Sequence, residues 1–220
     1  MKKGYIFGVL FLIAFSLNAQ KVNQTSGLSP TEIKEFHGMV EHMIERFQSN
    51  LSILGSKTYS NKVKETYRNE TLKDFIYTYR VKNQLGNDYV RDKFGNVVFY
   101  NDTVHMQVSS IKNRKTTIST HLLTKYLKDL VALPYAVVEI KSAETPYISN
   151  IYKVGDHYEA TATIFQRFCG YYMIEGRKVA KYCDVTTKTI KIYLIIEEDY
   201  QGKKWVVKLG DIDVAETVEY

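Results

Sequence analysis

The chain has 220 residues, and its 30 Lys and Arg against 24 Asp and Glu give a formal net charge of +6. This excess is spread along the sequence, and its densest stretch, at 112–115, is too short for a nucleic-acid patch, so we expect no nucleic-acid partner. The 18 tyrosines and only 3 prolines argue against a disordered chain and favour strands.

Residues 1–19 have the three zones of a secretory signal peptide. Lys2 and Lys3 form a positive start, an apolar run follows over 5–17, and Ala19 is a small residue before a polar one. A transmembrane anchor is the alternative, but the run is shorter than the roughly 20 residues that a span needs. No cysteine lies near the cut, which excludes a lipoprotein anchor there. We expect an exported protein, periplasmic or extracellular, with no membrane span after cleavage.

A single domain is predicted over 29–220, after a flexible polar lead-in over 20–28. The stretch Ser29-Pro30-Thr31-Glu32 is a capping box with proline at the first helical position. Apolar residues then recur at helical spacing over 30–54, and Gly55 ends the pattern. The sequence therefore predicts one long N-terminal helix with a single apolar stripe, which needs a partner surface.

Strand patterns dominate the rest of the chain, with further helices predicted at 61–72 and 119–133. The strand-like segments are 75–81, 97–111, 135–142, 147–154, 157–174, 178–196 and 203–214. Turns at Gly155-Asp156 and Gln201-Gly202 connect neighbouring segments. This order predicts an α+β fold, in which the long helix packs in a curved antiparallel sheet that forms a cone-like meander.

The same order resembles the nuclear transport factor 2-like fold, a cystatin-like α+β cone. The resemblance covers about 29–214 and is carried by the helices at 30–54 and 119–133 and by a closing strand ending in WVVKLGDIDV. The LNAQ before the predicted cut and this ending also resemble exported proteins of Gram-negative Bacteroidota. The resemblance leaves function open, because this fold hosts isomerases, dehydratases, small-ligand binders and assembly modules.

A polar row on the penultimate strand is the main candidate site. Alternation assigns one face of this strand to the interior, and that face carries Ile190, Ile192, Leu194 and Ile196. Followed backwards, the same face carries Lys188, Thr186, Asp184 and Tyr182. Because a pocket forms on the inner face of a cone, these four are the predicted ligand-binding residues, with Asp184 as candidate catalytic base and Tyr182 as oxyanion donor. Alternatively, the row passes the sheet's rim into solvent, or a bulge near Thr186-Thr187 turns it outward.

Cys169 and Cys183 are the only cysteines, and Gly176 lies midway between them. A hairpin centred on Gly176 makes them direct cross-strand partners about 4.5–5.5 Å apart, a separation that a disulfide accepts. That register also pairs Tyr171 with Lys181 and Met173 with Val179. If Gly176 is instead the third residue of a three-residue loop, Cys183 faces Arg167 and two free thiols result. The first register predicts a disulfide worth about 3 kcal/mol.

The outer face of the same hairpin is a candidate homodimer surface. It carries Tyr171, Met173, Val179, Tyr193 and Ile195 in the predicted alternation. Aromatic side chains on a sheet suit either cross-strand packing or an interface. In the fold that the chain resembles, sheet backs often pair into dimers.

Motifs for catalysis are missing: the sequence has no phosphate-binding glycine loop, Cys-x-x-Cys, His-Glu-x-x-His or nucleophile elbow. His37 and His42 lie five positions apart on the long helix and point in different directions, so we expect no metal and no cofactor. The favoured function is an exported non-enzymatic module that binds a protein partner or a small ligand in the sheet cavity or on the sheet face. The alternatives are a small-molecule isomerase or hydrolyase using Asp184 and Tyr182, and a structural subunit of an envelope assembly.

Overall fold

The computed structural model describes residues 27–76, 104–112, 115–199 and 202–219. The predicted signal peptide, most of the lead-in and most of the two strand patterns over 75–111 lie outside these ranges. Within them the fold is α+β, as predicted, with helices packed against a curved eight-stranded sheet. The helices are α1 (Pro30–Gly55), α2 (Asn61–Lys73) and α3 (Leu123–Val131). The strands are β1 (His105–Lys112), β2 (Lys115–Leu122), β3 (Val137–Ser142), β4 (Tyr147–Ile148), β5 (Tyr152–Val154), β6 (His157–Ile174), β7 (Arg177–Asp199) and β8 (Gly202–Glu219).

Helix α1 forms where its sequence signals place it. Ser29 Oγ accepts the Glu32 N–H at 3.3 Å and Glu32 Oε2 accepts the Ser29 N–H at 2.7 Å, which is the predicted capping box. One stripe of the helix is buried in the core: Phe36, Val40, Ile44, Phe47, Leu51 and Leu54. At its end Gly55 lies so close to β3 that a Cβ there would meet Val138 at 3.0 Å. The absence of a side chain at Gly55 thus lets the helix rest on the strand.

Polar side chains of α1 also close the edge of the sheet at β3. A free strand edge exposes unpaired N–H groups and invites pairing with other chains. Here side chains one turn apart on α1 accept these hydrogens. The bonds are from Val138 N to Ser56 Oγ, from Ile140 N to Ser52 Oγ and from Ser142 N to Gln48 Oε1, each 2.8 Å. Because the helix takes the place of a further strand, the edge is satisfied without another β-pairing.

The sheet is mixed, which corrects the prediction of an antiparallel meander. Its strand order is β2-β1-β8-β7-β6-β3, with β4 and β5 also paired to β6. Pairings along the β3-β6-β7-β8 path are antiparallel, but β1 runs parallel to β8, with Met106 opposite Ile212. Alternation of apolar residues indicates which segments are strands, but it carries no information about which distant segment becomes the neighbour.

The third helix is shorter than predicted, because its first residues belong to β2. The pattern at 119–133 was assigned to one helix starting at Ser119, but Ser119 to Leu122 pair with β1 instead. Leu122 is the N-cap of α3 and provides no side-chain hydrogen bond, so no capping signal marked the true start. Strand β2 is almost entirely exposed and shows no apolar alternation, so the pattern that identifies half-buried strands was missing there.

The β6–β7 hairpin turns through Glu175 and Gly176, whose φ angles are 49° and 76°. Two consecutive positive φ values are those of a type I′ turn, and Ile174 faces Arg177 directly across it. Both registers considered from the sequence are therefore wrong near the turn. The pairs found there are Met173 with Lys178, Tyr172 with Val179 and Tyr171 with Ala180.

A β-bulge restores the cysteine pairing further along the hairpin. The register shifts between Gly170 and Tyr171, where Lys181 is the extra residue on β7. Beyond the bulge Cys169 faces Cys183 with their Cα atoms 4.3 Å apart, and the two form a disulfide. The predicted disulfide is confirmed, and the free-thiol alternative is wrong. Near the turn the pairing is offset by one residue from the predicted register, and the extra residue of the bulge removes this offset.

Candidate functional site

A cavity of about 360 Å³ lies between the inner face of the sheet, helix α3 and the segment that follows it. Strand β7 provides one wall, β6 continues it, and β1 closes the opposite side. Its lining residues are Val108, Ser109, Ser110, Ile111, His121, Tyr126, Asp129, Leu130, Leu133, Tyr135, Gln166, Phe168, Tyr182, Asp184, Thr186 and Lys188. The volume is at the lower end of the range typical of small-molecule sites.

All four predicted ligand-binding residues line this cavity. Asp184, Thr186 and Lys188 are buried and Tyr182 is half-buried, whereas the intervening residues of β7 are more exposed. The strand irregularity near Thr187 does occur, but the extra residue is Ala215 on β8. Alternation along β7 therefore continues through the row, and the alternative that a bulge turns it outward does not apply. Whether these side chains bind a ligand stays a prediction.

Lys188 is a buried cation at one end of the row. Its side chain is 6% exposed, and desolvation lowers the pKa of its ammonium to about 8, while the charge of Asp184 acts in the opposite direction. Within the described residues no hydrogen bond or ion pair joins this ammonium to another side chain. Four residues of a strand span roughly 13 Å, so Asp184 and Lys188 occupy different parts of the cavity.

Asp184 lies at the aromatic end of the cavity. It faces Phe168 across the β6–β7 pair, and the Phe168 ring centroid is 6.1 Å from that of Tyr182. Burial first, and then the charge of Asp184, raise the pKa of the Tyr126 hydroxyl. The same two causes, with Tyr172 between them in size, raise the pKa of Tyr135. These phenols therefore remain protonated at neutral pH and can donate hydrogen bonds into the cavity.

Three hydroxyl groups in the middle of the row bind one another. Thr217 Oγ1 donates to Ser109 Oγ at 2.5 Å and lies 3.1 Å from Thr186 Oγ1, while Ser109 Oγ and Thr186 Oγ1 are 3.4 Å apart. The cluster joins β1, β7 and β8 across the sheet. The cluster gives the Thr186 hydroxyl hydrogen-bond partners inside the protein. A structural role therefore explains why Thr186 is polar, without a ligand.

Gln166 is a site residue that the sequence interpretation missed. It is 5% exposed and faces Thr186 across the sheet, and its Oε1 accepts no hydrogen bond from the described residues. A signal was present, since Gln166 is a polar residue on the even-numbered face of β6 between Ile164 and Phe168. The alternation that places Lys188 on the inner face of β7 also places Gln166 on the inner face of β6.

Tyr135 covers the cavity beside the disulfide because Gly170 leaves room for its ring. A Cβ at Gly170 would lie 2.6 Å from the ring atoms of Tyr135. The ring centroid of Tyr135 is 6.0 Å from Phe168 and 5.9 Å from Tyr172. Nothing in the pattern of a single strand indicates this contact, because Tyr135 reaches it from the loop after α3.

A second depression, of about 880 Å³, lies between α1 and β3. Its upper wall carries Glu41, Glu45 and Glu139, and Lys178 forms an ion pair with Glu139 at 2.8 Å. Ser52 at its base belongs to the hydrogen bonds that close the sheet edge. Gln48 Nε2, also in this depression, is buried and has no hydrogen-bond partner among the described residues. We assign the candidate site to the cavity near β7, because all four predicted residues and Gln166 line it.

The predicted outer face of the hairpin is divided in the structure. Val179 pairs with Tyr172, so it lies on the opposite face from Met173. Ile195 is buried in the core and Ile196 is exposed, the reverse of the predicted alternation. Only part of the proposed homodimer surface is thus contiguous, and the dimer itself stays a prediction.

Metal ligands are not grouped in the parts of the chain that the structure describes: no cluster there contains three or more His, Cys, Asp or Glu side chains. His37 is half-buried and His42 is exposed, as their positions on α1 predict. None of the helices in the described ranges combines the length and apolar composition that crossing a membrane requires. Comparisons of the chain with protein-family models, curated proteins and solved structures find no match.

Proposed function

We propose that the protein is an exported, non-enzymatic binding module that holds a small organic ligand in the cavity beside β7. The observation that carries this proposal is a preformed cavity lined by a buried amide oxygen, Gln166 Oε1, that accepts no hydrogen bond from the described residues, and by the buried cation Lys188. Buried polar groups are normally hydrogen-bonded within the protein. Gln166 Oε1 is an exception, and its place beside a buried ammonium supports a ligand that bonds to both groups.

Energetics support the same conclusion. Burying an ammonium or an amide without a compensating hydrogen bond costs free energy, and a well-packed apolar residue at either position would avoid that cost. The chain nevertheless carries Lys188 and Gln166 on the same inner face, on adjacent strands. A function that needs these groups explains them better than folding does.

Export is supported by the disulfide between Cys169 and Cys183. Disulfides persist in oxidising compartments and are uncommon in the reducing cytosol. Together with the predicted signal peptide, this favours the periplasm or the cell exterior. The resemblance to the nuclear transport factor 2-like fold stays a prediction, and the binding proposal does not depend on it.

An isomerase or hydrolyase is the second candidate, because Asp184 and Tyr182 line the same cavity. A carboxylate base and a phenol donor can together move a proton and stabilise an enolate. A structural subunit of an envelope assembly needs no pocket, so the cavity favours binding over that alternative.

The decisive experiment compares a cavity-filling variant with a matched surface variant. Leu133 lines the cavity, whereas its neighbour Ala132 is exposed. A library of small fragments is screened against the protein by NMR, and hits are retested on Leu133→Trp and Ala132→Trp. We expect hits that shift cavity resonances, survive in Ala132→Trp and disappear in Leu133→Trp. Hits unaffected by Leu133→Trp, or no hits at all, would refute the proposal.

The enzymatic alternative is separated from binding by recovering the hits after prolonged incubation. Under the binding proposal they are recovered unchanged. Conversion that stops in Asp184→Asn, while binding of the same compound persists, would favour the enzyme instead.

A further inference from the structure

We infer that the ligand is a small organic monocarboxylate with an apolar body and a hydrogen-bond donor, its carboxylate bound by Lys188 and its donor bound by Gln166. This inference rests on the proposed function and specifies the chemistry of the same cavity. It follows from the positions of the two groups, from the charges around them and from the surface that surrounds them.

The two polar groups are positioned to hold one molecule. Lys188 faces Ile164 and Gln166 faces Thr186, so Lys188 and Gln166 are diagonal neighbours on adjacent strands. Diagonal positions on one face are roughly 7–8 Å apart between Cα atoms, within reach of long side chains. A ligand can therefore meet the ammonium with one group and the Gln166 carbonyl with another a few bonds away.

The ligand group that meets Lys188 must be an acceptor, and a charged one is favoured. An ammonium has three donors and no acceptor, and charge-assisted hydrogen bonds are the stronger kind. In the described residues no ion pair neutralises Lys188, and Asp184 lies four residues away along β7. The charge of Asp184 acts on Lys188 without a direct ion pair, and a carboxylate at Lys188 would supply that contact.

A single negative charge fits the site better than two. Among the lining residues that the structure describes, Lys188 is the only Lys or Arg, and Asp184 and Asp129 also line the cavity. A phosphate monoester carries nearly two charges at neutral pH, so it would leave one of them facing these carboxylates. The hydroxyl groups of Ser109, Thr186 and Thr217 are bound to one another, so they are not free to donate to extra oxygens.

The remainder of the cavity is apolar, which defines the body of the ligand. Strands β1 and β6, helix α3 and the segment after it contribute this surface: Val108, Ile111, Leu130, Leu133 and Phe168. A hydrocarbon or aromatic body packs against them, while the Gln166 carbonyl requires a hydroxyl or amide N–H on that body. The donor distinguishes this ligand from a simple fatty acid.

The test uses matched sets of compounds and calorimetry near pH 7. Each hydroxy-substituted aromatic or aliphatic carboxylate is compared with its primary amide, its phosphate monoester and the carboxylate lacking the hydroxyl. On the unmodified protein we expect the hydroxy-carboxylate to bind about tenfold or more tightly than its amide. Lys188→Met should abolish that preference, and Gln166→Leu should abolish the preference for the hydroxyl. Lys191→Met, on the exposed face of the same strand, should change neither.

The outcomes separate this inference from the function on which it rests. If amides bind the unmodified protein as tightly as carboxylates do, and Leu133→Trp removes that binding, the inferred preference for a carboxylate is refuted but binding in the cavity is not. If the phosphate monoesters bind more tightly than the carboxylates, the inference that the ligand carries a single negative charge is refuted. If no compound of the sets and no library fragment binds in a way that Leu133→Trp removes, the proposed function fails together with the inference.

Discussion

Two sets of polar side chains, one at the sheet edge and one in the cavity, differ in what they bind. At the sheet edge Gln48 and Ser52 of α1, and Ser56 at its C-cap, accept hydrogen bonds from β3. In the cavity Gln166 Oε1 and the Lys188 ammonium have no such partners among the described residues. Gln48 and Ser56 are as buried as Gln166 and Lys188, so exposure alone does not distinguish the two sets.

The difference shows that a buried polar residue indicates a site only when its hydrogen bonds are counted. Removing an edge serine leaves a buried backbone N–H unsatisfied, which costs free energy. Removing the cavity lysine relieves the cost of burying a charge. The two sets should therefore respond to substitution with opposite signs, and this can be measured.

The largest effect is expected from Ser52→Ala combined with Ser56→Ala. The N–H groups of Val138 and Ile140 would lose their acceptors, and each unsatisfied group costs about 2 kcal/mol, or about 4 kcal/mol together. Chemical denaturation measures the change in the free energy of unfolding. Ser49→Ala, at an exposed position of α1, is the control and should change it little. If the double variant loses no more free energy of unfolding than the control, the serine side chains do not stabilise the edge of the sheet.

The second effect concerns the hairpin that carries the cavity row. Cys169→Ala with Cys183→Ala should lower the free energy of unfolding by about 3 kcal/mol, because the disulfide closes a loop whose two ends are 14 residues apart. Reduction of the unmodified protein should match the double variant, because both remove the same covalent link. The edge variant should be equally destabilised under reducing and oxidising conditions. An unmodified protein as stable after reduction as before would contradict the estimate.

The hairpin also shows what the sequence could and could not establish. The two cysteines, Cys169 and Cys183, together with the predicted signal peptide, correctly suggested a disulfide. The register that placed them opposite each other was wrong at the turn, because Glu175 adopts the positive φ of a type I′ turn. A bulge at Lys181 corrected the offset. Bulges depend on contacts between strands, so the sequence of one hairpin does not reveal them.

The candidate site divides in the same way. Period-two alternation placed Tyr182, Asp184, Thr186 and Lys188 together on the inner face, because that periodicity is local to one strand. The walls contributed by β1, α3 and the loop carrying Tyr135 come from residues distant in sequence. The position of the β1 wall depends on the parallel pairing of β1 with β8, which local periodicity does not predict.

The third effect should have the opposite sign to the first two. Lys188→Met should raise the free energy of unfolding near pH 7 by about 2 kcal/mol, after allowing for the lost attraction to Asp184. Burial lowers the pKa of Lys188 from 10.5 in the unfolded chain to about 8, so the cost of its charge is fully present below pH 8. It disappears as the pH rises towards 10.5, because both states are then neutral.

Denaturation at several pH values tests that sign. The stability gap between Lys188→Met and the unmodified protein should narrow between pH 8 and 10.5. Other titrating groups line the cavity, and both proteins share them: His121, Tyr126, Asp129, Tyr135, Tyr182 and Asp184. Lys191→Met should show no such pH-dependent gap. A destabilised Lys188→Met at pH 7 would mean that the lysine stabilises the fold, as the edge serines do.

The smallest effect, from Gly170→Ala, tests whether the cavity is preformed by packing. The new methyl group would overlap the Tyr135 ring, which must move, at a cost of about 1 kcal/mol. Gly38→Ala is the matched control, because no atom lies within 4 Å of a Cβ there and alanine favours the helix. Gly170→Ala should also weaken ligand binding, since Tyr135 lines the cavity. Unchanged NMR signals of the Tyr135 ring in Gly170→Ala would show that this ring does not shape the site, whereas a shifted ring with intact stability would show that it moves freely.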